Sequence, residues 1–481
     1  MKMTLLILSV LFPVIGGMIL PIFNKVQNRK IGLSAVILVQ AIETVLGLLI
    51  VFGGELTTGS FTLVDQLSIG FTADALAKFF IALTVIGWML VTIYACVYMK
   101  HEKNEMRFFL FMFLSESAMI GAALSQNLIS MYVFYEMVTL FSMPLVLHSL
   151  SKESVAAAKK YLYYSVAGAF LALFGIFVLA TNSDTLSFVA GGHNIIATPL
   201  VLAGIFTMLL GFGAKAGLFP MHGWLPSAHP VAPAPASALL SGLIAKAGVL
   251  AIIRTVFFFV GTENLSGTWV QTVALTFALL TVLMGSMMAY LEKGFKKRLA
   301  FSTVSQISYV LTGLFLFTGE GFQGALWQIV FHAVVKIGLF LCAGAVIFMY
   351  GKTEVKDLAG LGKKMPITFT CFTVLSLSLI GIPPTGGFHS KWYIATAALD
   401  SGLGAFSWIA PIILLISAIL TAAYLLSISI SAFFGKDETG SETVKIREPL
   451  FMVIPIVILT VIAVAGGVFS VATGNILSSI I

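Results

Sequence analysis

The sequence has very little charge for its length. Among its 481 residues only 10% are Asp, Glu, Lys or Arg, whereas 59% are hydrophobic. A typical soluble domain has about 25% charged residues, so a soluble fold of this chain could not cover its surface with polar groups. Polar stretches long enough for a separate soluble domain are missing as well. We therefore expect most of the protein surface to face lipid.

Cysteine is also scarce. The chain has only Cys96, Cys342 and Cys371, all in apolar segments and none in a C-x-x-C pair. This spacing argues against an iron–sulfur cluster, a structural zinc site or a disulfide framework. A Walker loop and a G-x-G-x-x-G motif after a strand are missing too. The expectation is a chain with no cofactor and no metal site of its own.

Apolar segments long enough to cross a bilayer recur along the whole chain. With a ruler of about 20 residues, about 14 spans can be placed, which predicts an all-α integral membrane protein. The net charge is +7, and most of the 27 Lys and Arg residues follow odd-numbered spans. The positive-inside rule then places those loops in the cytoplasm and both termini outside the cell. The expected environment is the lipid bilayer of the cell membrane, and nucleic acid is not an expected partner.

Several ionisable residues remain inside the predicted spans. Each costs about 2.5–3.5 kcal/mol at a helix centre, and such residues usually face a hydrated interior and mark an ion pathway. The strongest candidates are Glu136, Lys215, Lys246, Lys336 and Lys391. They indicate that the protein conducts an ion rather than serving as a membrane scaffold.

Other charges have weaker functional interpretations. Glu43 could serve a helix–helix contact, and Glu116 could be a hydrogen-bonding node between Ser115 and Ser117, so their roles stay open. Arg254 lies late in its span and is expected to extend toward the membrane interface. Asp74 and Lys78, at the start of the third span, are expected to be interfacial.

Two predicted spans are interrupted by proline and glycine. The residues that mark the breaks are Pro220, just after Lys215, and Pro383 and Pro384, just before Lys391. Irregular backbone at membrane depth is tolerated only inside protein or beside water. Broken helices at matching places in two halves of a chain point to the ion site of a transporter.

The two breaks also predict an internal repeat. Spans four to eight and nine to thirteen each number five, and an odd count makes the second set inverted relative to the first. The expected units are the N-terminal spans at 1–105, a first five-helix repeat at 106–260, a second, inverted repeat at 261–435, and a loop with the last span at 436–481.

Histidines accompany the lysines. His332 and Lys336 are four residues apart and so share one helix face, which suggests a proton relay. His222 and His229 lie near the first break. They are expected either to gate the path or only to bond backbone carbonyls.

Four motifs resemble the antiporter-like subunits shared by respiratory complex I, Mrp-type sodium/proton antiporters and membrane-bound hydrogenases. These are YVFYEMVTLFS at 132–142, KAGLFPMHGWLPSAHPVAPAPASALLSG at 215–242, HAVVK at 332–336 and GGFHSKW at 386–392. The resemblance identifies Glu136 as the family's fifth-span glutamate and places its lysines at Lys215, Lys246 and Lys391. Ser227 stands where the family often has an acid.

The resemblance implies a proton-translocating subunit of a multi-subunit energy-converting complex, with a path along Glu136, Lys215, Lys246 and Lys391. Its expected partners are other membrane subunits. Lysine at position 391 also resembles the D subunit of Mrp-type antiporters, which is the alternative. A stand-alone solute transporter is a third possibility, without a residue cluster to support it. The transported ion and the host complex stay open, including whether the complex is an NADH or ferredoxin oxidoreductase or a hydrogenase.

Overall fold

The computed structural model describes residues 2–25, 29–64, 67–193, 195–436 and 447–469, and this part of the chain is nearly all helical. The first helices are α1 (Lys2–Ile19), α2 (Arg29–Val51) and α3 (Ala75–Tyr98). The next are α4 (Glu105–Leu124), α5 (Leu128–Val146), α6 (Lys152–Ala180), α7 (Pro199–Ala216), α8 (Leu225–Val231), α9 (Ala234–Leu239) and α10 (Lys246–Thr255). The last are α11 (Trp269–Leu291), α12 (Phe295–Phe315), α13 (Gly319–Tyr350), α14 (Leu361–Lys364), α15 (Pro366–Ile380), α16 (Gly386–Asp400), α17 (Phe406–Phe434) and α18 (Leu450–Val468).

Smaller elements complete the fold. The 3₁₀ segments are Leu20–Lys25, Met99–His101 and Val355–Leu358, and the π-helical segments are Leu240–Ile244 and Val256–Val260. Between α2 and α3 lie four short strands, β1 (Leu56–Thr57), β2 (Phe61–Val64), β3 (Leu67–Ile69) and β4 (Thr72–Ala73). β1 pairs antiparallel with β4, and β2 pairs antiparallel with β3.

Within the described residues, twelve helices are long and apolar enough to cross a membrane. The expectation of a multi-pass membrane protein is therefore confirmed. Two further predicted spans correspond to α12, which is rich in Ser, Thr and Gln, and to the divided pair α15 and α16, of 15 residues each. The total of fourteen spans and the inverted repeats stay predictions. The expected unit 436–481 includes residues 437–446 and 470–481, which lie outside the described residues.

Polar caps begin several of the membrane helices. Asn127 accepts a hydrogen bond from the backbone N–H of Ser130 at the start of α5, at 2.7 Å. Thr198 does the same for Val201 at the start of α7, where Pro199 fills the first helical position. Such caps satisfy N–H groups that have no partner within the helix. The sequence thus fixes where these spans begin.

Both predicted helix breaks are present, and in both the helix ends at a glycine in the left-handed conformation. α7 ends at Gly217, which has φ of 78°, and the N–H of Leu218 donates to the carbonyl of Gly213 at 2.8 Å. α15 ends at Gly381, which has φ of 94°, and the N–H of Ile382 donates to the carbonyl of Leu377 at 3.0 Å. Glycine adopts this left-handed conformation without strain, and the hydrogen bond after it satisfies a carbonyl group in the last turn of each helix.

The centre of the bundle is formed by two long, almost fully buried helical stretches. One is the continuous stretch 234–260, which contains α9, α10 and both π-helical segments, and the other is α13. α12 packs against α13 and is also buried along most of its length. The peripheral α1, α2, α17 and α18 leave more of their residues exposed. Charges carried by the central helices are therefore shielded from lipid.

Candidate functional site

The first lysine, Lys215, lies in the last turn of α7 and is fully buried. Its Nζ donates to the carbonyl of Tyr135 at 2.5 Å and to Oγ1 of Thr139 at 2.7 Å, both on α5. It also lies 3.8 Å from the centre of the Tyr135 ring, a cation–π geometry. These three contacts fix the ammonium group against one side of α5.

Glu136, the expected partner of Lys215, lies on α5 between these two contact residues. The two side chains do not form an ion pair within the described structure. Glu136 Oε1 is buried and has no hydrogen-bond partner among the described residues. The structure therefore brings Lys215 beside the segment that carries Glu136, with the lysine held by neutral oxygens.

Lys246 lies two residues after the end of the π-helical segment Leu240–Ile244, at the start of α10. Its Nζ donates to the carbonyl of Ser241 at 2.7 Å and lies 2.6 Å from Nδ1 of His332 on α13. Segments of π-helix occur frequently at functional sites, because the extra residue changes the direction of side chains. Here the segment precedes a lysine that contacts a neighbouring helix.

Lys336 lies one turn after His332 on α13, and both side chains are buried. The two residues have different partners. His332 contacts Lys246, whereas Lys336 donates to the carbonyl of Leu299 at 2.8 Å and to Oγ of Ser302, both on α12. His332 and Lys336 thus connect α13 to two different helices, α10 and α12.

A hydrogen-bonded group on α12, α13 and α16 was missed by the sequence analysis. Gln328 Nε2 donates to Gln306 Oε1 at 3.0 Å, and Ser390 Oγ donates to Gln328 Oε1 at 2.6 Å. The signal that could have found it is the run STVSQISY at 302–309, which places polar residues on several faces of a membrane helix. This group connects α12, which Lys336 contacts, with the residue next to Lys391.

Lys391 is half-buried on α16 and lies at the second break. Its Nζ donates to the carbonyls of Leu379 at 2.5 Å and Ile380 at 2.8 Å, at the C-terminal end of α15. The partial negative charge of a helix C-terminus favours a cation there. Nζ also lies 5.0 Å from the ring centre of Tyr309 on α12. Lys391 thus links the two halves of its broken helix, whereas Lys215 reaches a different helix.

The predicted gating residues lie at the two breaks. Pro220 and His222 lie in the irregular segment before α8, and His229 lies within α8. His229 is fully buried, and its ring stacks on Phe340 with centres 4.8 Å apart. Neither ring nitrogen of His229 has a hydrogen-bond partner among the described residues, and the same is true of Nδ1 of His222. At the second break, the residues between α15 and α16 include Pro383 and Pro384.

The expectation that Arg254 extends toward the membrane interface stays a prediction, but the side chain is enclosed by protein rather than exposed. Its side chain is 1% exposed, and it donates to both carboxylate oxygens of Asp74, at 2.5 Å and 2.8 Å. Asp74 caps the start of α3 by accepting a hydrogen bond from Ala77. A bidentate carboxylate thus satisfies the buried guanidinium group.

Within the part of the chain that the structure describes, no three or more His, Cys, Asp or Glu residues come together in a way that could hold a metal ion. The side chains that do come together are lysines, histidines, hydroxyl groups and amides on central helices. Such groups accept, donate and exchange protons.

Comparison with known proteins identifies the chain's relatives. Residues 125–421 match the transmembrane family described as NADH:quinone oxidoreductase/Mrp antiporter. The chain belongs to this family. The match confirms the resemblance inferred from the motifs. It includes the residues that we call the lysine line, namely Glu136, Lys215, Lys246, His332, Lys336 and Lys391.

Relatives within the family are subunits of different complexes. The N subunit of the NADH-quinone oxidoreductase of Desulforudis audaxviator is 30% identical over 413 residues, covering 82% of this chain and 81% of the relative. The D subunit of the Na(+)/H(+) antiporter of Alkalihalophilus pseudofirmus is 30% identical over 467 residues, covering 95% and 93%. This chain is thus an antiporter-like subunit of the family.

Solved structures have the same fold. A chain of the Mrp complex from Dietzia sp. matches with a TM-score of 0.84 and 23% identity, covering 99% of this chain and 97% of that chain. A chain of the membrane-bound sulfane sulfur reductase, an archaeal respiratory membrane complex, matches with a TM-score of 0.87 and 21% identity, covering 99% and 97%. At these identities the matches establish the fold of a membrane-complex subunit.

Proposed function

We propose that this chain translocates protons as one subunit of a multi-subunit energy-converting membrane complex. The path runs along Glu136, Lys215, Lys246 and Lys391, with His332 and Lys336 between the last two lysines. The observation that supports this most directly is the contact of Lys246 with His332, which joins protonatable groups of two central helices at 2.6 Å.

Protons suit this path better than sodium ions. A lysine ammonium group offers three hydrogen-bond donors and no acceptor, so it cannot be a ligand of a metal cation. Lysine and histidine side chains can instead release and take up protons. The buried Lys215, Lys246 and Lys336 all contact neutral oxygens, and none has a carboxylate partner among the described ion pairs.

Glu136 and Lys215 form the switch in this proposal. In the closed state the carboxylate contacts the ammonium group and stabilises its charge. In the open state Lys215 is left among neutral oxygens, where a charge is costly, and it passes its proton toward Lys246. The contacts of Lys215 with Tyr135 and Thr139 correspond to the open state. We assign the energy input to a partner subunit that biases the pair.

The breaks and the repeat have defined roles in this mechanism. The two five-helix units at 106–260 and 261–435 are related by inversion, and each supplies one broken helix. This relation is supported by the similar ends of α7 and α15. Each ends at a left-handed glycine, Gly217 or Gly381, and the N–H of the next residue donates to the carbonyl five residues earlier. His222 and His229 gate access at the first break.

The protein's location follows from the same reasoning. We assign the chain to the cell membrane, with both termini on the outer side, since most basic residues follow odd-numbered spans. Its relatives in Desulforudis and Alkalihalophilus are consistent with this location.

A second candidate function is that of the D subunit of an Mrp-type antiporter. The D subunit of Alkalihalophilus pseudofirmus covers 95% of this chain and is itself covered to 93%, so the two chains correspond almost end to end. Purifying the intact complex and identifying its companions by mass would decide the host. Redox subunits would favour the first candidate, and other Mrp-type subunits without them would favour the second.

The proposed path is tested with Glu136→Ala and Lys215→Ala in the intact complex reconstituted into vesicles. Both variants should assemble but lose coupled proton transport. Lys159→Ala, which removes an exposed lysine on α6, is the matched control and should transport like the wild type. Wild-type transport by either test variant would refute the path.

A further inference from the structure

A second group of buried polar side chains lies outside the lysine line, among α2, α3 and α4. Gln40 Nε2 on α2 donates to Glu116 Oε1 on α4 at 2.8 Å. Thr92 Oγ1 on α3 lies 3.0 Å from Gln40 Oε1 and 2.8 Å from the Trp88 carbonyl, and its one hydrogen is shared between these two acceptors. The Gln40 amide therefore connects three helices.

Glu43 lies one turn after Gln40 on the buried face of α2. Both Glu43 and Glu116 have no exposed surface. Neither oxygen of Glu43 has a hydrogen-bond partner among the described residues, and Glu116 Oε2 also lacks one. Because Gln40 bonds Glu116 and Glu43 follows on the same buried face of α2, the two carboxyl groups lie on the same side of this group. The group thus contains three buried carboxylate oxygens that lack a donor.

Most of the described basic side chains on α2, α4 and the helices packed against them have partners elsewhere. α2 packs on α1 and α3, and α4 packs on α1, α3, α5 and α10. The charged groups that have partners elsewhere are Arg29 with Glu105, Lys78 with the Gly53 carbonyl, Arg107 with the His148 carbonyl, Lys246 with His332, and Arg254 with Asp74. Lys30 on α2 is exposed, and α5 contributes a further acid, Glu136. Among the described ion pairs, none includes Glu43 or Glu116.

Two neighbouring carboxylates cannot both stay ionised in such a place. Removing a carboxylate from water without a partner is costly, and two like charges close together add repulsion. A protonated carboxyl group offers an O–H donor, which is what the unpartnered oxygens lack. A cation bound between the two side chains would satisfy both the charge and the oxygens.

We propose that Glu43 and Glu116 form a proton-binding site that holds one proton between the two carboxyl groups. The site lies near the middle of α2 and α4, away from the lysine line. Both residues lie outside the part of the chain that matches the family, 125–421. The site is therefore a feature of the N-terminal helices, and its occupancy does not depend on the proposed path.

The test is infrared spectroscopy of the purified complex in lipid vesicles at pH 7, in potassium buffer. The wild type should show the C=O band of a protonated carboxyl group that is absent from the double variant Glu43→Gln, Glu116→Gln. Glu55→Gln, which changes an exposed glutamate in the loop after α2, should keep the band. Lys215→Ala should keep it as well, because the site is separate from the lysine line.

Assembly of each variant is checked by the amount of complex recovered from the membrane. The single variant Glu43→Asp keeps an acid and should show the band at a shifted frequency, so the signal can be assigned even if the double variant is poorly recovered. An unchanged band in the double variant, or an unshifted band in Glu43→Asp, overturns the proposal. Loss of the wild-type band when sodium replaces potassium in the buffer also overturns it, because the occupant would then be a sodium ion.

Discussion

Nζ of Lys246 lies 2.6 Å from Nδ1 of His332, across the boundary between the helical stretch 234–260 and α13. When the lysine is charged it donates, so the neutral imidazole carries its hydrogen on Nε2. That Nε2 is buried and has no hydrogen-bond partner among the described residues. A proton accepted at Nδ1 therefore leaves an acidic N–H on the far side of the ring, which suits a relay.

His332→Ala should reduce proton transport by about 100-fold, the low end of the effect of removing a group that transfers a proton. The complex should still assemble, because the substitution removes only one ring from the bundle. Transport is measured as acidification of vesicles that contain the complex. His101→Ala, which changes an exposed histidine, should transport normally, and equal rates in both variants would contradict a relay role.

Lys391→Arg tests whether Lys391 must release its proton or only needs to provide a positive charge. Arginine keeps a positive charge beside the carbonyls of Leu379 and Ile380 but does not lose its proton in proteins. We expect normal assembly and loss of proton transport, measured in the same vesicles. Lys159→Arg is the control for the substitution itself. If Lys391→Arg transports like the wild type, Lys391 only stabilises the break and does not carry the proton.

The amides of Gln306 and Gln328 are expected to support transfer between α13 and α16. Gln306→Met keeps the side-chain size but removes the acceptor of the 3.0 Å hydrogen bond from Gln328. Proton transport should fall roughly tenfold, since an interior path depends on polar groups that hold water or pass the proton. Ser308→Ala on the same helix loses only a bond to the Val304 carbonyl and should have little effect. Similar rates for both variants would place the path elsewhere.

The Arg254–Asp74 pair should contribute to stability rather than transport. Asp74→Asn keeps a side-chain oxygen that can cap α3 but leaves a guanidinium group that is 1% exposed without its carboxylate. Breaking a buried pair costs about 3–5 kcal/mol, and the partial exposure of Asp74 places the expected loss near the low end. The measurement is thermal unfolding in detergent. Lys356→Ala, which breaks the exposed pair with Glu354, should not change the unfolding temperature, and an equal effect of both variants would contradict the assignment.

Local sequence determined the class of the protein and the course of its helices. The scarcity of charge requires a lipid-facing surface, and this property needs no knowledge of which segments meet. Proline and glycine act on their own backbone, so the ends of α7 and α15 could be predicted to within a few residues. The motifs around Glu136, Lys215, Lys246 and Lys391 likewise identified the family.

Only the tertiary structure decided which side chains are partners. Arg254 pairs with a residue 180 positions earlier, and Lys246 contacts His332, a residue 86 positions later on another helix. Glu43 and Glu116 come close only because α2 and α4 both pack on α1 and α3. These contacts depend on how each helix is rotated and where it crosses its neighbours. In a chain whose helices are apolar on nearly every side, hydrophobic patterning leaves that rotation undetermined, so packing sets it.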